Sequence, residues 1–217
     1  MRADDRARAF ERALLAMDRA GARTTLLAAA EGTDTLAVAE SVVAPALERI
    51  GDDWENGTVS LAQLYMAGRI AEQIVSEVLP QSRPGDGERP QLAIAVLEDH
   101  HALGKRLVLS ALRSSGYSVA DYGHGVTVER LVQRCRDDKP RVLLISTLML
   151  PAALRVREVV DRLALPAPRP LVIVGGAPFR LDPELWREVG ADATGRNSAA
   201  AIELVDRFTG GAPGRVR

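Results

Sequence analysis

The sequence has very little cysteine and no excess of charge of either sign. Cys135 is the only cysteine among 217 residues, which excludes an intramolecular disulfide and a zinc site built from several cysteines. The 28 basic and 29 acidic side chains nearly cancel, so no overall field favours nucleic acid or an anionic membrane surface. We therefore expect any metal to arrive with a cofactor.

Long apolar runs are missing as well. No stretch approaches the roughly 20 apolar residues that a membrane span needs. The charged N-terminal segment MRADDRARAFERALLAM also lacks the apolar core of a signal peptide. We expect a cytoplasmic protein whose partners are neither nucleic acid nor a membrane.

The first 80 residues are predicted to be entirely helical. Before Pro80 they hold a single proline, Pro45, and they are rich in the strong helix formers Ala, Leu, Glu and Arg. Apolar side chains recur every three to four residues, and Ser60 is a candidate N-cap for the last helix. The pattern predicts a four-helix bundle over residues 1–80.

The pattern changes after a segment rich in proline and glycine, which we interpret as a linker over residues 81–90. Beyond it, short apolar runs at 92–97, 117–123, 141–146 and 170–176 alternate with helical patterns, as in buried parallel strands. Helices are predicted from Leu103 and near 127–138, 151–164, 182–189 and 198–208. Residues 91–210 are thus predicted to form a Rossmann-like, doubly wound α/β domain of flavodoxin order 2-1-3-4-5, followed by a tail at 211–217.

The segments that follow three of these strands are expected to line one crevice. In a sheet of this order the first, third and fourth strands are neighbours, and ligands bind beyond their carboxyl ends. The residues at these three ends are Asp99, His101 and Gly104; Ser146 and Leu148; and Gly175, Gly176 and Ala177.

The first of these segments suits a metal ion. Asp99 can accept a hydrogen bond from one ring nitrogen of His101 and so present the other nitrogen to a metal. A hydrolase is disfavoured because Ser146 lies outside any nucleophile-elbow motif. Ordinary nucleotide binding is disfavoured because both GxxxxGK[ST] and a GxGxxG after the first strand are absent.

The order Asp99-x-His101-x-x-Gly104, then Ser146-x-Leu148, then Gly175-Gly176 resembles the DxHxxG…SxL…GG pattern of cobalamin-binding domains. These domains occur in methionine synthase, corrinoid methyltransferase proteins and some mutases. The segment GDDWENG at 51–57 resembles the helical cap that precedes the domain in methionine synthase-like proteins. The likeness covers residues 40–208.

The resemblance implies a cobalamin cofactor and a role for each matched residue. His101 would replace the cofactor's own dimethylbenzimidazole as lower ligand of cobalt, the base-off/His-on mode, with Asp99 hydrogen-bonded to it. Trp54 would cover the upper face of the corrin. The displaced nucleotide tail would occupy a slot formed by Ser146, Leu148, Gly175, Gly176 and Ala177.

The sequence also departs from the family pattern. Ala152 stands where methionine synthase has a serine that extends the His–Asp hydrogen-bond chain, and Leu150 replaces a hydroxyl residue before it. Proton relay through this chain is therefore in doubt. Cobalamin photoreceptors carry Glu-His nine residues after the tryptophan, where this chain has Leu64-Tyr65. Methylcobalamin or hydroxocobalamin is thus favoured over adenosylcobalamin.

Several alternatives stay open. His100 is adjacent to the expected ligand but lacks its spacing to the aspartate and the glycine. His124 lies on the same rim and either contacts the corrin or occupies a turn. Trp54 is either a core aromatic or the lid over the cofactor. Tyr65 and Met66 face either the core or the cofactor, with the core favoured.

The favoured function is a methyl-carrying corrinoid protein, the carrier subunit that serves separate methyltransferase proteins on the donor and acceptor sides. A homodimer is compatible with this role. The alternative is a stand-alone regulatory module that senses cobalamin or light and acts on a partner protein. A corrinoid storage or delivery protein is the third candidate.

Overall fold

The computed structural model describes residues 2–33, 35–78, 91–165 and 168–210. The chain forms two compact units, Met1–Gln81 and Ser82–Arg217, called here the helical unit and the α/β unit. The linker predicted at 81–90 and the tail predicted at 211–217 lie outside the described residues.

The helical unit confirms the predicted bundle. Its helices are α1 (Ala3–Leu15), α2 (Arg19–Ala30), α3 (Thr35–Val38), α4 (Ala44–Glu55) and α5 (Leu61–Val78), with a π-helical segment, Ala39–Val43, between α3 and α4. The π segment ends two residues before Pro45, which has no amide hydrogen to continue the regular hydrogen-bond ladder of the helix. Helix α3, the π segment and α4 therefore form one continuous helix. Among the described residues, this helix and α1, α2 and α5 are the four helices of the bundle.

Apolar periodicity and capping explain these helices. Ser60 caps α5 as predicted, because its hydroxyl accepts from the amide of Gln63 at 3.2 Å while the Gln63 side chain accepts from the amide of Ser60 at 3.0 Å. Burial of each large apolar side chain contributes about 1.5–3 kcal/mol. The largest fully buried side chains of the unit are Phe10, Leu14, Leu26, Ile50 and Ile74.

The α/β unit contains five parallel strands in the order β2-β1-β3-β4-β5, which confirms the predicted fold. The strands are β1 (Leu92–Val96), β2 (Val119–Asp121), β3 (Val142–Ser146), β4 (Leu171–Gly175) and β5 (Ala193–Thr194). The helices are α6 (Leu103–Ser114), α7 (Val128–Asp138), α8 (Leu150–Leu163), α9 (Ala177–Leu181), α10 (Leu185–Glu188) and α11 (Ser198–Thr209).

Two elements differ from the prediction. The helix expected at 182–189 is replaced by the short helices α9 and α10, with Pro183 between them, because a proline cannot donate the hydrogen bond that would continue α9. Strand β2 spans three residues rather than the seven of the predicted segment. The first difference adjoins the end of β4, because α9 begins at Ala177 directly after Gly176.

Both faces of the sheet are covered, which is why the strands are almost wholly buried. Helices α7 and α8 pack together on one face, and α6 and α11 pack together on the other. The register pairs Val96 with Ser146 and Ser146 with Gly175, so the ends of β1, β3 and β4 stand in one row. The three segments that follow them leave the sheet side by side, as expected.

In the parts of the chain that the structure describes, every helix is too short or too polar to cross a membrane.

Candidate functional site

The carboxylate of Asp99 is the centre of a hydrogen-bond cluster at the end of β1. Its Oδ1 accepts from the ring Nδ1 of His101 at 2.6 Å and from the His101 amide at 3.1 Å. Its Oδ2 accepts from the amides of Leu148 and Met149 at 2.9 and 3.1 Å. The loops after β1 and β3 are thus joined through one side chain.

These hydrogen bonds keep Asp99 ionised. Burial raises the pKa of Asp99, but the hydrogen bonds from the His101 ring and from the amides of Leu148 and His101 outweigh it, and the pKa lies below its ordinary value of 3.8. A carboxylate without a proton can only accept. The proton between the two side chains therefore belongs to Nδ1 of His101, which makes Nε2 the ring atom suited to a metal.

His101 and Asp99 differ sharply in exposure. The side chain of His101 is 29% exposed, whereas that of Asp99 is 3% exposed. The aspartate is therefore shielded from water, while the imidazole extends toward the surface at the carboxyl edge of the sheet. This is the arrangement expected of a metal ligand held by a buried partner.

Glu98, directly before Asp99, has a left-handed backbone with φ of +45°. Its amide donates to the carbonyl of Val126 at 3.0 Å. Its carboxylate forms an ion pair with Arg155 of α8, at 3.2 Å. A residue other than glycine in this region is strained, so these two contacts hold the start of the loop in a conformation that it would not adopt alone.

A second loop, between β2 and α7, fixes the other side of the Asp99 loop. The amide of Gly125 donates to the carbonyl of Asp99 at 2.6 Å, and Leu97 forms a parallel bridge with Val126. The backbone on either side of Asp99 is thus bound to neighbouring segments.

The three histidines of the chain lie in these two loops. The ring of His100 lies against Gly125, and its centroid is 5.7 Å from that of His124, with the ring planes at 73°. His100 and His124 are both exposed. The structure therefore places them together on the rim, while the ring of His101 is bound to Asp99.

The remaining motif residues surround the ends of β3 and β4. A Cβ on Gly104 would lie 3.7 Å from Oγ of Ser146, so the start of α6 is close to the end of β3. A Cβ on Gly176 would stand 1.7 Å from the carbonyl oxygen of Thr147, and one on Gly175 would stand 2.9 Å from that of Gly195. Both glycines are thus required by close backbone approach. That they also leave room for a ligand stays a prediction.

Thr147 and Ala177 complete this part of the site. Thr147 is buried, and its hydroxyl oxygen has no hydrogen-bond partner in the described structure. Ala177 is half-buried and begins α9 directly after Gly176. Buried hydroxyl groups normally have a partner, so the Thr147 hydroxyl marks a place where a bound group or water is expected.

The segment that follows Ser146 exposes apolar side chains. Exposed apolar side chains that adjoin one another are typical of a surface covered by a ligand or partner. We call the set the apolar edge, and its members are Leu148, Met149, Leu150 and Leu154.

In the helical unit, Trp54 lies in the last turn of α4 and is 37% exposed. The interpretation of Trp54 as a core aromatic is therefore disfavoured. Tyr65 and Met66 of α5 are 55% and 39% exposed, so the favoured of their two placements, in the core, was wrong. Their neighbour Leu61 is also exposed, and this part of the helical unit presents an apolar surface.

Cys135 takes no part in the site. It is buried on α7, and burial raises the pKa of its thiol to about 12, so the thiol stays protonated. Among the residues that the structure describes, no group of three or more His, Cys, Asp or Glu side chains could hold a metal ion.

Sequence reasoning missed several residues that hold the site. The amides of Leu148 and Met149 bind Asp99 from about fifty positions away in the sequence. Arg155 was missed because alternating charge on a helix is usually a solvated face. The sequence did carry a signal for Gly125, because a glycine on either side of His124 indicates a tight turn.

Comparisons with known proteins agree with this geometry. A family model described as "B12 binding domain" matches residues 91–203, and a second model with the same description matches residues 6–78. The monomethylamine corrinoid protein 1 of Methanosarcina barkeri is 31% identical over 186 residues, which cover 82% of this chain and 84% of that protein.

Two further relatives extend the likeness. The trimethylamine corrinoid protein 1 of Methanosarcina mazei is 25% identical, with coverage of 87% of this chain and 89% of that protein. The solved structure of the Methanosarcina barkeri monomethylamine corrinoid protein aligns with a TM-score of 0.73 at 27% identity, over 90% of this chain and 94% of that one. The chain therefore belongs to the family of B12-binding corrinoid proteins.

Proposed function

We propose that this chain binds a corrinoid with His101 as the lower axial ligand of cobalt and carries methyl groups between separate methyltransferase proteins. Family membership supports the cofactor. The relatives named as monomethylamine and trimethylamine corrinoid proteins support the carrier role and a small methylated donor of that class. The single observation that carries the proposal is the 2.6 Å contact between Nδ1 of His101 and Oδ1 of Asp99.

The donor set fits the cofactor. Imidazole is a common ligand of transition metals, and a second contact that fixes its tautomer and orientation is the usual companion of such a ligand. Asp99 supplies this contact while four N–H groups hold its own carboxylate in place. His101 is thus oriented by the protein before any metal is present.

The surroundings of His101 fit the polarity of a corrinoid. The macrocycle is broad and largely apolar on its faces, and the apolar edge beside the Asp99 loop offers matching side chains. The buried Thr147 hydroxyl offers a hydrogen-bonding group at the same strand end. The chain therefore provides an axial ligand, apolar contact area and a polar anchor.

Each residue then has a defined task. When bound, the cobalt of the corrinoid supplies the chemistry, since it accepts a methyl group and gives it up again. Asp99 keeps the proton on Nδ1 of His101 and thereby keeps Nε2 available for coordination. The Oδ2 atom of Asp99 is bound by the amides of Leu148 and Met149, so the hydrogen-bond chain ends on backbone and not on the serine that Ala152 replaces.

The remaining contacts are assigned by the resemblance. Ser146, Leu148, Gly175, Gly176 and Ala177 are proposed to contact the nucleotide tail of the cofactor. Trp54 is proposed to cover the corrin from the helical unit, because an exposed tryptophan on an apolar surface is well suited to stack on a macrocycle. His124 is proposed to contact the rim of the corrin.

The first test is retention of hydroxocobalamin. The purified protein is mixed with hydroxocobalamin, passed through a desalting column and examined by absorbance. We expect retained cofactor with a spectrum that changes in His101→Ala and not in Leu165→Ala, which removes an exposed side chain just beyond the end of α8 that is far from the Asp99 loop. A protein that retains no cobalamin, or an unchanged spectrum in His101→Ala, would contradict the proposal.

The second test separates a carrier from a sensor. Protein loaded with methylcobalamin is incubated in the dark with a methyltransferase that acts on a thiol. We expect the methyl group to appear on the thiol without light. A response that requires illumination, with no thiol methylated in the dark, would support the regulatory alternative instead.

A further inference from the structure

The sequence presents two imidazoles in succession, those of His100 and His101. Both lie in the loop after β1, so both are tethered close to the same metal position. A tethered group has a high effective concentration at a nearby site, and one lower axial position admits one imidazole. The chain therefore needs a physical reason for coordination by one histidine and not by the other.

The structure gives the two rings different surroundings. Nδ1 of His101 lies on Oδ1 of Asp99, whereas the ring of His100 lies on the backbone of Gly125 and beside His124. A Cβ on Gly125 would lie 2.7 Å from Cε1 and 3.1 Å from Nδ1 of His100. Position 125 must therefore lack a side chain if the His100 ring is to keep this position. The φ of +62° at Gly125 also favours glycine.

The place of the His100 ring is fixed by backbone contacts. The Gly125 amide donates to the carbonyl of Asp99, so the surface under the ring is bound to the loop that carries the ring. The ring of His124 lies against that of His100 in an edge-to-face arrangement. We call Gly125 and His124 together the His100 seat.

We infer that the His100 seat selects the cobalt ligand: it holds the His100 imidazole on the rim and so leaves the axial position to His101. This inference rests on the proposed function. Gly125 and His124 are positioning residues, since they act through His100. A methyl group at position 125 would displace the ring rather than the backbone, because the clash falls on the far end of an exposed side chain.

The test asks which histidine coordinates cobalt when His101 is absent. Protein is grown with ¹⁵N-labelled histidine and loaded with cob(II)alamin. In the electron paramagnetic resonance spectrum a histidine ligand then splits each line into a doublet, whereas the unlabelled base of the cofactor gives a triplet. The variants are His101→Ala alone and His101→Ala combined with Gly125→Ala or with Gly123→Ala.

Gly123→Ala is the matched control, because Gly123 also has a positive φ, +93°, but an added Cβ there would meet nothing within 4 Å. We expect His101→Ala to lose the doublet, the combination with Gly125→Ala to regain it, and the combination with Gly123→Ala to stay without it. Addition of His100→Ala to the variant that carries both His101→Ala and Gly125→Ala should remove the regained doublet.

Three results would overturn the inference: a doublet that persists in His101→Ala and disappears only with His100→Ala, no doublet in the Gly125→Ala combination, or an equal doublet in the Gly123→Ala control. Should the Gly125→Ala chains fail to fold, His124→Ala with His101→Ala replaces them. A regained doublet there supports the seat, and its absence overturns it. Failure of the proposed function is recognised separately, because the wild-type chain would then show no histidine doublet.

Discussion

His101 and Asp99 are joined twice, since the ring Nδ1 and the backbone amide of His101 both lie within hydrogen-bond distance of Oδ1 of Asp99. The side chain and the backbone of the histidine are thus fixed by one buried oxygen. The other oxygen is bound to the loop after β3. The Asp99 carboxylate therefore both orients the imidazole and joins the two loops.

Asp99→Asn is expected to weaken both the orientation of the His101 imidazole and the connection between the loops after β1 and β3. Whichever way the amide is turned, its NH₂ group meets N–H donors, and a buried donor without an acceptor costs about 1–3 kcal/mol. We expect urea unfolding to show a loss of this size and the spectrum of bound cobalamin to shift toward the form without histidine. Asp192→Asn is the control, because Asp192 also accepts from a side chain and an amide, those of Arg169 and Val172, and it should lower stability without changing the spectrum. An unchanged spectrum in Asp99→Asn would count against this role of Asp99.

Gly176→Ala is expected to be strongly destabilising. The added methyl group would stand 1.7 Å from the Thr147 carbonyl oxygen at a φ of +120°, so the ends of β3 and β4 must separate. We expect a loss of about 2–4 kcal/mol in the free energy of unfolding. At Gly210, with a φ of +84° and nothing within 4 Å, alanine meets only backbone strain and should cost about 1 kcal/mol. Equal losses would mean that the Thr147 contact does not matter.

The ion pair of Arg169 and Asp192 is expected to make stability depend on pH. Burial raises the pKa of Asp192, but hydrogen bonds from Arg169 and from the Val172 amide outweigh it, so the folded pKa is below the ordinary value of 3.8. Stability from this group is complete above the unfolded pKa and is lost as pH falls through the folded one. Urea unfolding at pH 7 and below pH 4 should therefore show a smaller loss on acidification in Asp192→Asn than in the wild type. Identical losses would show that Asp192 contributes nothing to the acid response.

Trp54→Ala is expected to weaken cofactor retention without much effect on folding. The side chain is exposed, so its removal should change the free energy of unfolding by less than about 1 kcal/mol. Loss of an aromatic contact that contributes about 1.4 kcal/mol should raise the dissociation rate of hydroxocobalamin about tenfold. Leu165→Ala removes another exposed apolar side chain and should leave the rate unchanged. The same rate in Trp54→Ala and the wild type would contradict the lid.

The fold was predictable because its signals are local. Helical periodicity before residue 80 and short apolar runs after residue 90 identify the elements, and parallel strands of this kind fix their order within narrow limits. The prediction was weakest where one proline decides the outcome, as at Pro183, which separates α9 from α10.

The site was predictable only in part, for a physical reason. Asp99 and His101 are two residues apart, so their contact can be inferred from sequence. The amides that bind Oδ2 of Asp99 come from distant backbone, which carries no sequence signal of its own. The place of the His100 ring on Gly125 depends in the same way on how two loops meet.

The most direct test of the central claim is the electron paramagnetic resonance spectrum of wild-type protein labelled with ¹⁵N-histidine and loaded with cob(II)alamin. Coordination by His101 predicts doublet splitting that disappears in His101→Ala. A triplet from the base of the cofactor, or a wild-type spectrum without nitrogen splitting, would contradict the assignment of His101 as the ligand of cobalt.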